Sequence, residues 1–271
     1  MATDSSTPIF DALKAAIRDD KPVALATTID GPDVGHKLLA RPGHDTIGTL
    51  GNDDLDRVVT RDLDGELAAG RTSVRHYGTR GEANEATVSV FIESYAPAPQ
   101  MLIFGAVDFT ASLARVAKVL GYRVTVCDAR EVFATKERFP MADEVVVDWP
   151  HRLLARVGDQ LHARDAVCVL THDPKFDVPA IESSLETDVG YIGVMGSRRT
   201  HDDRTKRLVE IGIDQAGLDR LQSPIGLDLG ARTPEETAIS ILAEIIALRT
   251  GRVAPSLKAT LGPIHTRMAH D

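Results

Sequence analysis

Residues 101–130, MLIFGAVDFTASLARVAKVLGYRVTVCDAR, contain the pattern that decides the fold. An apolar run reaches Gly105, a segment with helical spacing follows, and a second apolar run ends at Asp128. Two such runs joined by one helix within roughly 30 residues are typical of a strand–helix–strand unit with parallel strands and a right-handed crossover. The stretch therefore predicts a parallel sheet.

The turn after the first run differs from the glycine fingerprint of dinucleotide-binding proteins. The three glycine positions of Gly-x-Gly-x-x-Gly are Gly105, Val107 and Thr110 in this chain. The Val107 side chain occupies the space where a pyrophosphate packs on the backbone. Asp108, at or near the helix start, puts a carboxylate where a phosphate prefers the positive end of the helix. The turn is therefore a structural crossover, an altered dinucleotide site or a site for another ligand.

The alternation of strands and helices continues to residue 251. The runs EVVVDW, AVCVL and VGYIGVMG predict three more strands, and PIGLDLGA is a short apolar stretch that ends in turn residues. Helical spacing predicts helices over 109–120, 177–185, 198–210 and 234–249, the last with Thr233 as N-cap and Pro234 as first residue. This order predicts an α/β fold with a Rossmann-like, doubly wound, mostly parallel sheet.

A smaller α+β domain is predicted before this sheet. Residues 8–19 and 53–69 have helical spacing, the stretches VALATT, TSVRHY and ATVSVFIES have the pattern of strands, and GPDVGHK and RPGHD predict loops. The proline-containing run 95–100 predicts a linker. We therefore place domains at 1–96 and 97–251, followed by an extended or disordered tail over 252–271.

Charge and hydropathy exclude several classes of protein. The net charge is -9, and residues 1–96 carry 10 basic against 16 acidic side chains, so neither part offers the positive field that nucleic-acid binding requires. No apolar run approaches the roughly 18 residues of a membrane span. The start of the chain lacks the basic and apolar segments of a secretion signal. We expect a cytoplasmic protein with no nucleic-acid partner and no membrane span.

The two cysteines, Cys127 and Cys168, lie within apolar runs and are expected to be buried. Two are too few for a disulfide framework or a zinc site of the Cys-x-x-Cys type. No cluster of His, Cys and carboxylate residues has the spacing of metal ligands, so we predict no metal site.

Candidate ligand-binding residues follow the strands, because doubly wound sheets bind ligands at the carboxyl ends of their strands. The strongest signal is GVMGSRR. Gly193 and Gly196 permit close approach of a ligand, Ser197 can cap a helix, and Arg198 and Arg199 lie in its first turn. Cations are unfavourable there unless an anion neutralises them, and arginine binds phosphate bidentately. The alternative is a solvated helix whose charges pair internally, with Arg204, Lys206 and Arg207 against Asp202 and Asp203.

Other strand ends give weaker signals. Asp128 lies 23 residues past Gly105, close to the interval of a ribose-binding acid, and Arg130 could favour a 2′-phosphate instead. His172 could be a general base, a ligand or a local hydrogen bonder in its turn. We predict no catalytic residue. The predicted cofactor-binding set is Gly105, Asp108, Asp128, Arg130, Thr171, His172, Asp173, Gly193, Gly196, Ser197, Arg198, Arg199, Asp228 and Gly230.

Four long motifs resemble the carboxyl-terminal Rossmann-like domain of XdhC/CoxI proteins. They are FATKERFPMADEVVVDWP, VLTHDPKFDVPAI, YIGVMGSRRTHDDRTKRL and SPIGLDLGARTPEETAISILAEIIALRTG, and the resemblance runs from about Met101 to Gly251. It implies a cytoplasmic, homodimeric chaperone that binds molybdopterin or its dinucleotide form. Such a protein assists sulfuration of the cofactor with a cysteine desulfurase and delivers it to apoenzymes of the xanthine dehydrogenase or CO dehydrogenase type.

The chain also departs from this pattern. Typical members have Gly-x-Gly-His after the first strand, whereas this chain has Gly-Ala-Val-Asp, which is closer to an actinobacterial-type subgroup with Gly-Ala-Ile-Asp-Phe-Thr. The family motif Ser-Gly-Gly-Cys-Val-Glu corresponds by position to residues 49–54, TLGNDD, and a second family cysteine has no counterpart around residues 78–85. Sulfur handling by thiols of a divergent amino-terminal module is therefore excluded.

Three hypotheses follow. The leading one is an accessory protein that matures a molybdenum hydroxylase by binding or presenting its cofactor, more as a non-catalytic chaperone than as an enzyme. The rival is an NAD(P)-dependent oxidoreductase, motivated by Gly105, Asp128 and Arg130. The third is a regulatory or scaffold member of the family that binds no cofactor, motivated by the missing cysteines.

Overall fold

The computed structural model describes residues 6–83 and 85–261, which form two compact units that divide between Pro97 and Ala98. In the first unit the helices are α1 (Ser6–Arg18) and α2 (Asp53–Ala69). Its strands are β1 (Val23–Asp30), β2 (Lys37–Ala40), β3 (Ile47–Thr49), β4 (Ser73–Tyr77) and β5 (Val88–Tyr95).

The five strands of the first unit form one antiparallel sheet in the order β3-β2-β1-β5-β4. Alternate residues of β1 face opposite layers: Ala24 and Ala26 pack with α2, and Val23 and Leu25 pack with α1. Strands β2 and β3 were not predicted. Each has only three or four residues between glycine-containing turns, so neither contains a full period-two pattern.

The second unit contains a six-stranded parallel sheet in the order β11-β10-β9-β6-β7-β8. Its strands are β6 (Gln100–Phe104), β7 (Arg123–Asp128), β8 (Glu144–Val147), β9 (Ala166–Val169), β10 (Tyr191–Val194) and β11 (Leu221–Gln222). The prediction of an α/β fold with a doubly wound parallel sheet is confirmed. The order of strands reverses between β6 and β9, and such a reversal opens a crevice at the carboxyl edge of the sheet.

Helices cover both faces of this sheet. They are α3 (Asp108–Val119), α4 (Pro150–Val157), α5 (Pro174–Leu185), α6 (Arg198–Glu210), α7 (Gln215–Asp219) and α8 (Pro234–Arg249). Helices α3 and α8 pack on one face, and α4 and α5 pack on the other. Strands β9 and β10 are buried along their whole length, which is why their sequences are continuous apolar runs without alternation.

Several predicted boundaries are corrected. Helix α3 begins one residue earlier than expected and α5 begins at Pro174, because Asp173 is the N-cap and proline is well suited to a first helical position. The stretch PIGLDLGA is a loop, and the short strand β11 precedes it.

The carboxyl-terminal region that was predicted as a tail is described only in part. Residues 252–261 are exposed and contain a 3₁₀ turn at Leu257–Ala259, and the predicted tail over 262–271 lies outside the described residues. Within the described ranges, no helix is both long and apolar enough to cross a membrane.

Candidate functional site

The loops after β6 and β9 approach each other closely at the point where the strand order reverses. Gly105 has a φ of +111°, and a Cβ added there would lie 2.7 Å from Thr171 Cγ2 and 3.0 Å from the Thr171 amide nitrogen. The position therefore requires glycine for its backbone conformation and for the close packing of the two loops. Gly105 and Thr171 form one wall at this edge of the sheet.

The turn between β6 and α3 satisfies its own backbone amides. The Gly105 amide donates to a carbonyl of β7 at 2.9 Å, and the Ala106 amide donates to Asp128 Oδ2 at 2.8 Å. The Val107 amide donates to Thr110 Oγ1 at 3.3 Å, while the Thr110 hydroxyl donates to the Gly105 carbonyl at 2.5 Å. In a dinucleotide cradle these amides face the pyrophosphate. Here they already have partners, which disfavours the usual dinucleotide pose.

Asp128 is buried at the end of β7 and its carboxylate is fully bonded. Oδ1 accepts hydrogen bonds from the Arg130 amide and Nε, each at 2.9 Å. Oδ2 accepts from the Ala106 amide at 2.8 Å and from Arg130 Nη2 at 2.7 Å. Burial acts to raise the pKa of Asp128, but the guanidinium and the two amides hold it below its ordinary value. A carboxylate offers about four acceptor positions, so Asp128 has none left for ribose hydroxyls in this arrangement.

Aromatic rings surround the outer side of Arg130. Its guanidinium carbon lies 4.6 Å from the ring centroid of Phe133 and 6.0 Å from that of Phe176. The ring centroids of Trp149 and Phe176 are 4.9 Å apart. On the other side of the β6–α3 turn, Arg138 donates to the Ala106 carbonyl at 3.2 Å. Apart from Arg130, sequence reasoning missed these residues. The signal available was position alone, since Trp149 follows β8 and Phe176 lies in the first turn of α5.

The amino terminus of α6 presents two arginines at the end of β10. Ser197 is the N-cap, and its hydroxyl accepts from the Thr200 amide at 3.2 Å. Gly196, with a φ of +155°, makes the turn into the helix. Arg198 and Arg199 are the first two helical residues and both are exposed. Among the residues that the structure describes, neither their guanidinium groups nor their backbone amides have a hydrogen-bond or ion-pair partner.

An ion pair buried behind this turn was not predicted. Arg204 Nη2 lies 3.0 Å from Asp177 Oδ2, and the two side chains are only 4% and 3% exposed. Arg204 also donates to the Met195 carbonyl at 2.9 Å, and Thr171 donates its hydroxyl to Asp177. Burial raises the pKa of Asp177 to about 6, against the opposing effect of Arg204. The alternative of a solvated, internally paired helix is wrong for Arg204, because this side chain connects α6 to α5 and to the loop after β10.

Gly193 does not lie in the loop where it was expected. It is a buried residue of β10, paired with β9 and β11. A Cβ there would lie 2.5 Å from Ile225 Cδ1, so the missing side chain makes room for the loop after β11 rather than for a ligand. The sequence did not show where β10 ends, because the apolar run VGYIGVMG continues from the strand into the loop.

The remaining predicted residues lie around the same edge with different exposure. His172 is exposed, and Asp173 caps α5 and forms an ion pair with Lys175 at 3.1 Å. Asp108 is exposed at the first position of α3, where Val107 and not Asp108 is the N-cap. Asp228 and Gly230 are exposed in the loop between β11 and α8.

Both thiols are buried, as predicted, and are poor nucleophiles. Burial raises the pKa of Cys127 to about 12, and full burial raises the pKa of Cys168 well above its ordinary value. A thiol held in the protonated form neither attacks nor carries sulfur readily. Within the described part of the chain, no group of three or more His, Cys, Asp or Glu side chains is arranged to hold a metal ion.

Comparison with known proteins gives two matches to family models. The model described as the XdhC Rossmann domain matches residues 101–245, and that of the XdhC and CoxI family matches residues 16–78. A crystal structure of a xanthine dehydrogenase from Bacillus halodurans superposes with a TM-score of 0.54 at 24% identity, covering 91% of this chain and 97% of that one. This likeness supports the fold.

Curated relatives match over parts of their length. A probable subunit of xanthine dehydrogenase from Bacillus subtilis is 35% identical over 163 residues, which are 60% of this chain and 47% of that protein. The molybdenum cofactor insertion chaperone PaoD of Escherichia coli is 32% identical over 95 residues, 35% of this chain and 30% of that protein. The chain thus spans less than half the length of either relative.

Proposed function

The chain belongs to the XdhC and CoxI family, and from this premise we propose that it assists the maturation of a molybdenum hydroxylase by binding or presenting the molybdenum cofactor. The names of its relatives support this role, since one is a probable subunit of xanthine dehydrogenase and another is a molybdenum cofactor insertion chaperone. The client would be an apoenzyme of the xanthine dehydrogenase or CO dehydrogenase type, and the chaperone would act as a homodimer.

The observation that carries the proposal is the amino terminus of α6. Arg198 and Arg199 place two exposed guanidinium groups at the positive end of a 13-residue helix, together with two backbone amides that have no partner among the described residues. Cations at this end of a helix cost about 0.3–1 kcal/mol each unless an anion offsets them. Molybdopterin and its dinucleotide forms carry phosphate groups, and guanidinium with helix amides is a donor set suited to phosphate. These residues would hold the phosphate.

The other loops shape the site without competing for the phosphate. The β6–α3 turn has bonded its amides internally and carries the Asp108 carboxylate in the first turn of α3. Arg204 fixes the Met195 carbonyl two residues before Ser197 and so sets the position from which α6 begins. The proposed ligand therefore lies against α6, with Gly105 and Thr171 as a wall.

Sulfuration of the cofactor would depend on a thiol supplied by a partner. Cys127 and Cys168 are buried with raised pKa values, so neither is suited to carry a persulfide. The proposed division of labour gives the sulfur transfer to a cysteine desulfurase and the holding of the cofactor to this chain.

The test is retention of molybdopterin by the purified protein. The wild type should co-elute with added molybdopterin, followed by pterin fluorescence, and Arg198→Ala/Arg199→Ala should retain little. The control Lys206→Ala/Arg207→Ala removes the same charge from the other half of α6, where both side chains are exposed. Absence of retention by the wild type would refute cofactor binding, and equal loss in both double variants would refute the assignment to the helix terminus.

Two further measurements separate the rival functions. Titration with NADH and NADPH should give no saturable binding, since the β6–α3 turn is closed; micromolar binding with hydride transfer would establish an oxidoreductase instead. Capture of a molybdenum hydroxylase by protein that binds no molybdopterin would establish a scaffold role.

A further inference from the structure

The first unit contains a concave site that the proposed function does not use. It is a cavity of about 210 Å³ between the second half of α1 and the turn that follows β2. Ala12, Ala15 and Ala16 line it from α1, and their short side chains leave the space open. The opposite side belongs to the RPGHD turn, in which Gly43 has a φ of +72°.

Three basic side chains line this cavity: Lys21, Arg41 and His44. Asp19 is the acidic residue among the lining side chains, and its carboxylate is already bound by Arg18, with contacts of 2.8 and 3.3 Å. The concentration of positive charge runs against the balance of residues 1–96, in which 16 acidic side chains exceed 10 basic ones. If charged side chains were distributed at random over this acidic unit, the cavity would be expected to carry negative rather than positive charge.

Arg41 provides the sharpest observation. Its Nε is shielded from solvent and has no hydrogen-bond partner in the described part of the chain. A buried donor on a charged group that lacks a partner is costly and rare in native proteins. Lys21 and His44 are exposed, and among the described residues neither side chain has a hydrogen bond or ion pair that would compete with a ligand. A helix carboxyl terminus explains a lysine at position 21, but Arg41 and His44 belong to the other wall.

We propose that this cavity binds the phosphate group of a small ligand, either inorganic phosphate or a phosphate monoester. The guanidinium and ammonium supply the charge-assisted donors that phosphate requires, and His44 adds a ring nitrogen. The cavity volume of about 210 Å³ is below the roughly 300–1,000 Å³ of sites for larger ligands, which favours a small anion. The inference is independent of cofactor binding at α6, because the cavity lies entirely in the first unit.

The experiment is a titration of the full chain followed by amide NMR at constant ionic strength. It uses the Arg198→Ala/Arg199→Ala background, so that α6 does not contribute. Inorganic phosphate and glycerol 3-phosphate are the two probes. Saturable shifts at millimolar or lower concentration should appear in the backbone amides around the cavity, namely those of Asp19, Asp20, Lys21, Arg41, Gly43 and His44.

Arg41→Gln should weaken binding about tenfold or more, as expected for loss of a charged hydrogen bond. Arg57→Gln, which removes an exposed charge from α2, should leave the affinity unchanged. Lys21→Gln is a second variant in case Arg41→Gln does not fold. Tighter binding of the ester would identify a phosphorylated metabolite, and equal binding would identify inorganic phosphate. Absence of saturable shifts with both probes, or equal affinities of the Arg57 variant and both cavity variants, would overturn the proposal.

Discussion

Replacing Arg204 by methionine should destabilise the second unit, and the loss should depend on pH. Methionine has a similar length but leaves the buried Asp177 carboxylate without its ion-pair partner at 3.0 Å. Removing one member of a buried pair typically costs about 3–5 kcal/mol, because the other charge is left uncompensated. We expect a loss of this size at pH 8, where Asp177 is ionised.

The loss should shrink at pH 5. The pKa of Asp177 is raised to about 6 in the folded protein, against an ordinary value of 3.8. A raised pKa means that this carboxyl stabilises the fold fully below pH 3.8 and that the contribution disappears as pH rises through 6. At pH 5 the group is mostly protonated, so Arg204→Met leaves a neutral carboxyl and loses mainly the bond to the Met195 carbonyl, about 1–2 kcal/mol. The difference between the two pH values should be about 2 kcal/mol.

Urea unfolding at pH 5, 6.5 and 8 measures this difference. Lys206→Met, on the exposed side of the same helix, is the control and should stay within about 0.5 kcal/mol of the wild type at every pH. Asp177→Asn/Arg204→Met should recover part of the stability lost at pH 8. If the Arg204→Met loss is the same at pH 5 and pH 8, Asp177 is not the charge that Arg204 compensates.

Three further substitutions or treatments test the site. Gly105→Ala should cost about 2 kcal/mol or more in urea unfolding. Gly121 has a similarly positive φ of +80°, but no atom of the described residues lies within 4 Å of an added Cβ. Gly121→Ala should therefore cost less, and the difference between the two variants measures the clash with the loop after β9. Cys127 and Cys168 should not react with a thiol reagent at pH 8 until denaturant is added. Asp128→Asn should lower the free energy of unfolding at pH 7 by about 1–3 kcal/mol, and the loss should shrink progressively as pH falls below 3.8, because a lowered pKa contributes stability that disappears as the carboxylate is protonated.

The parallel sheet could be predicted because its signals are local. Each inner strand is a short apolar run followed by a turn, and helices α6 and α8 have the predicted bounds because capping residues mark them: Ser197 for α6, Thr233 and Pro234 for α8. Strands β2 and β3 gave no such signal. Each depends on pairing with a neighbour, which fixes its conformation more than its own three or four residues do.

The candidate site could be predicted only as a set of loops. Selecting the residues that follow each strand identified Gly105, Asp128 and Arg198, because the topology places all three at the carboxyl edge of the sheet. It missed the pairing of Asp177 with Arg204, 27 residues apart, and the contact of Arg138 with the Ala106 carbonyl. Both depend on how deeply each loop is buried, and no periodicity in the sequence encodes that depth.

The proposed anion site at α6 is supported by a comparison of helix termini in the second unit. Helices α3, α5 and α8 each carry an acidic residue in the first turn, and its negative charge offsets the positive end of the helix dipole. Helices α4 and α6 have none, and α6 begins with the exposed pair Arg198 and Arg199. An anion bound at α3 would face the Asp108 carboxylate and a turn whose Gly105, Ala106 and Val107 amides are already bonded, whereas one bound at α6 would relieve the repulsion between two cations and the helix dipole. Residues 101–130, the stretch that decides the fold, are therefore a poor place for a phosphate. The more favourable interaction of an anion with the amino terminus of α6 supports the proposed site on the other side of the crevice.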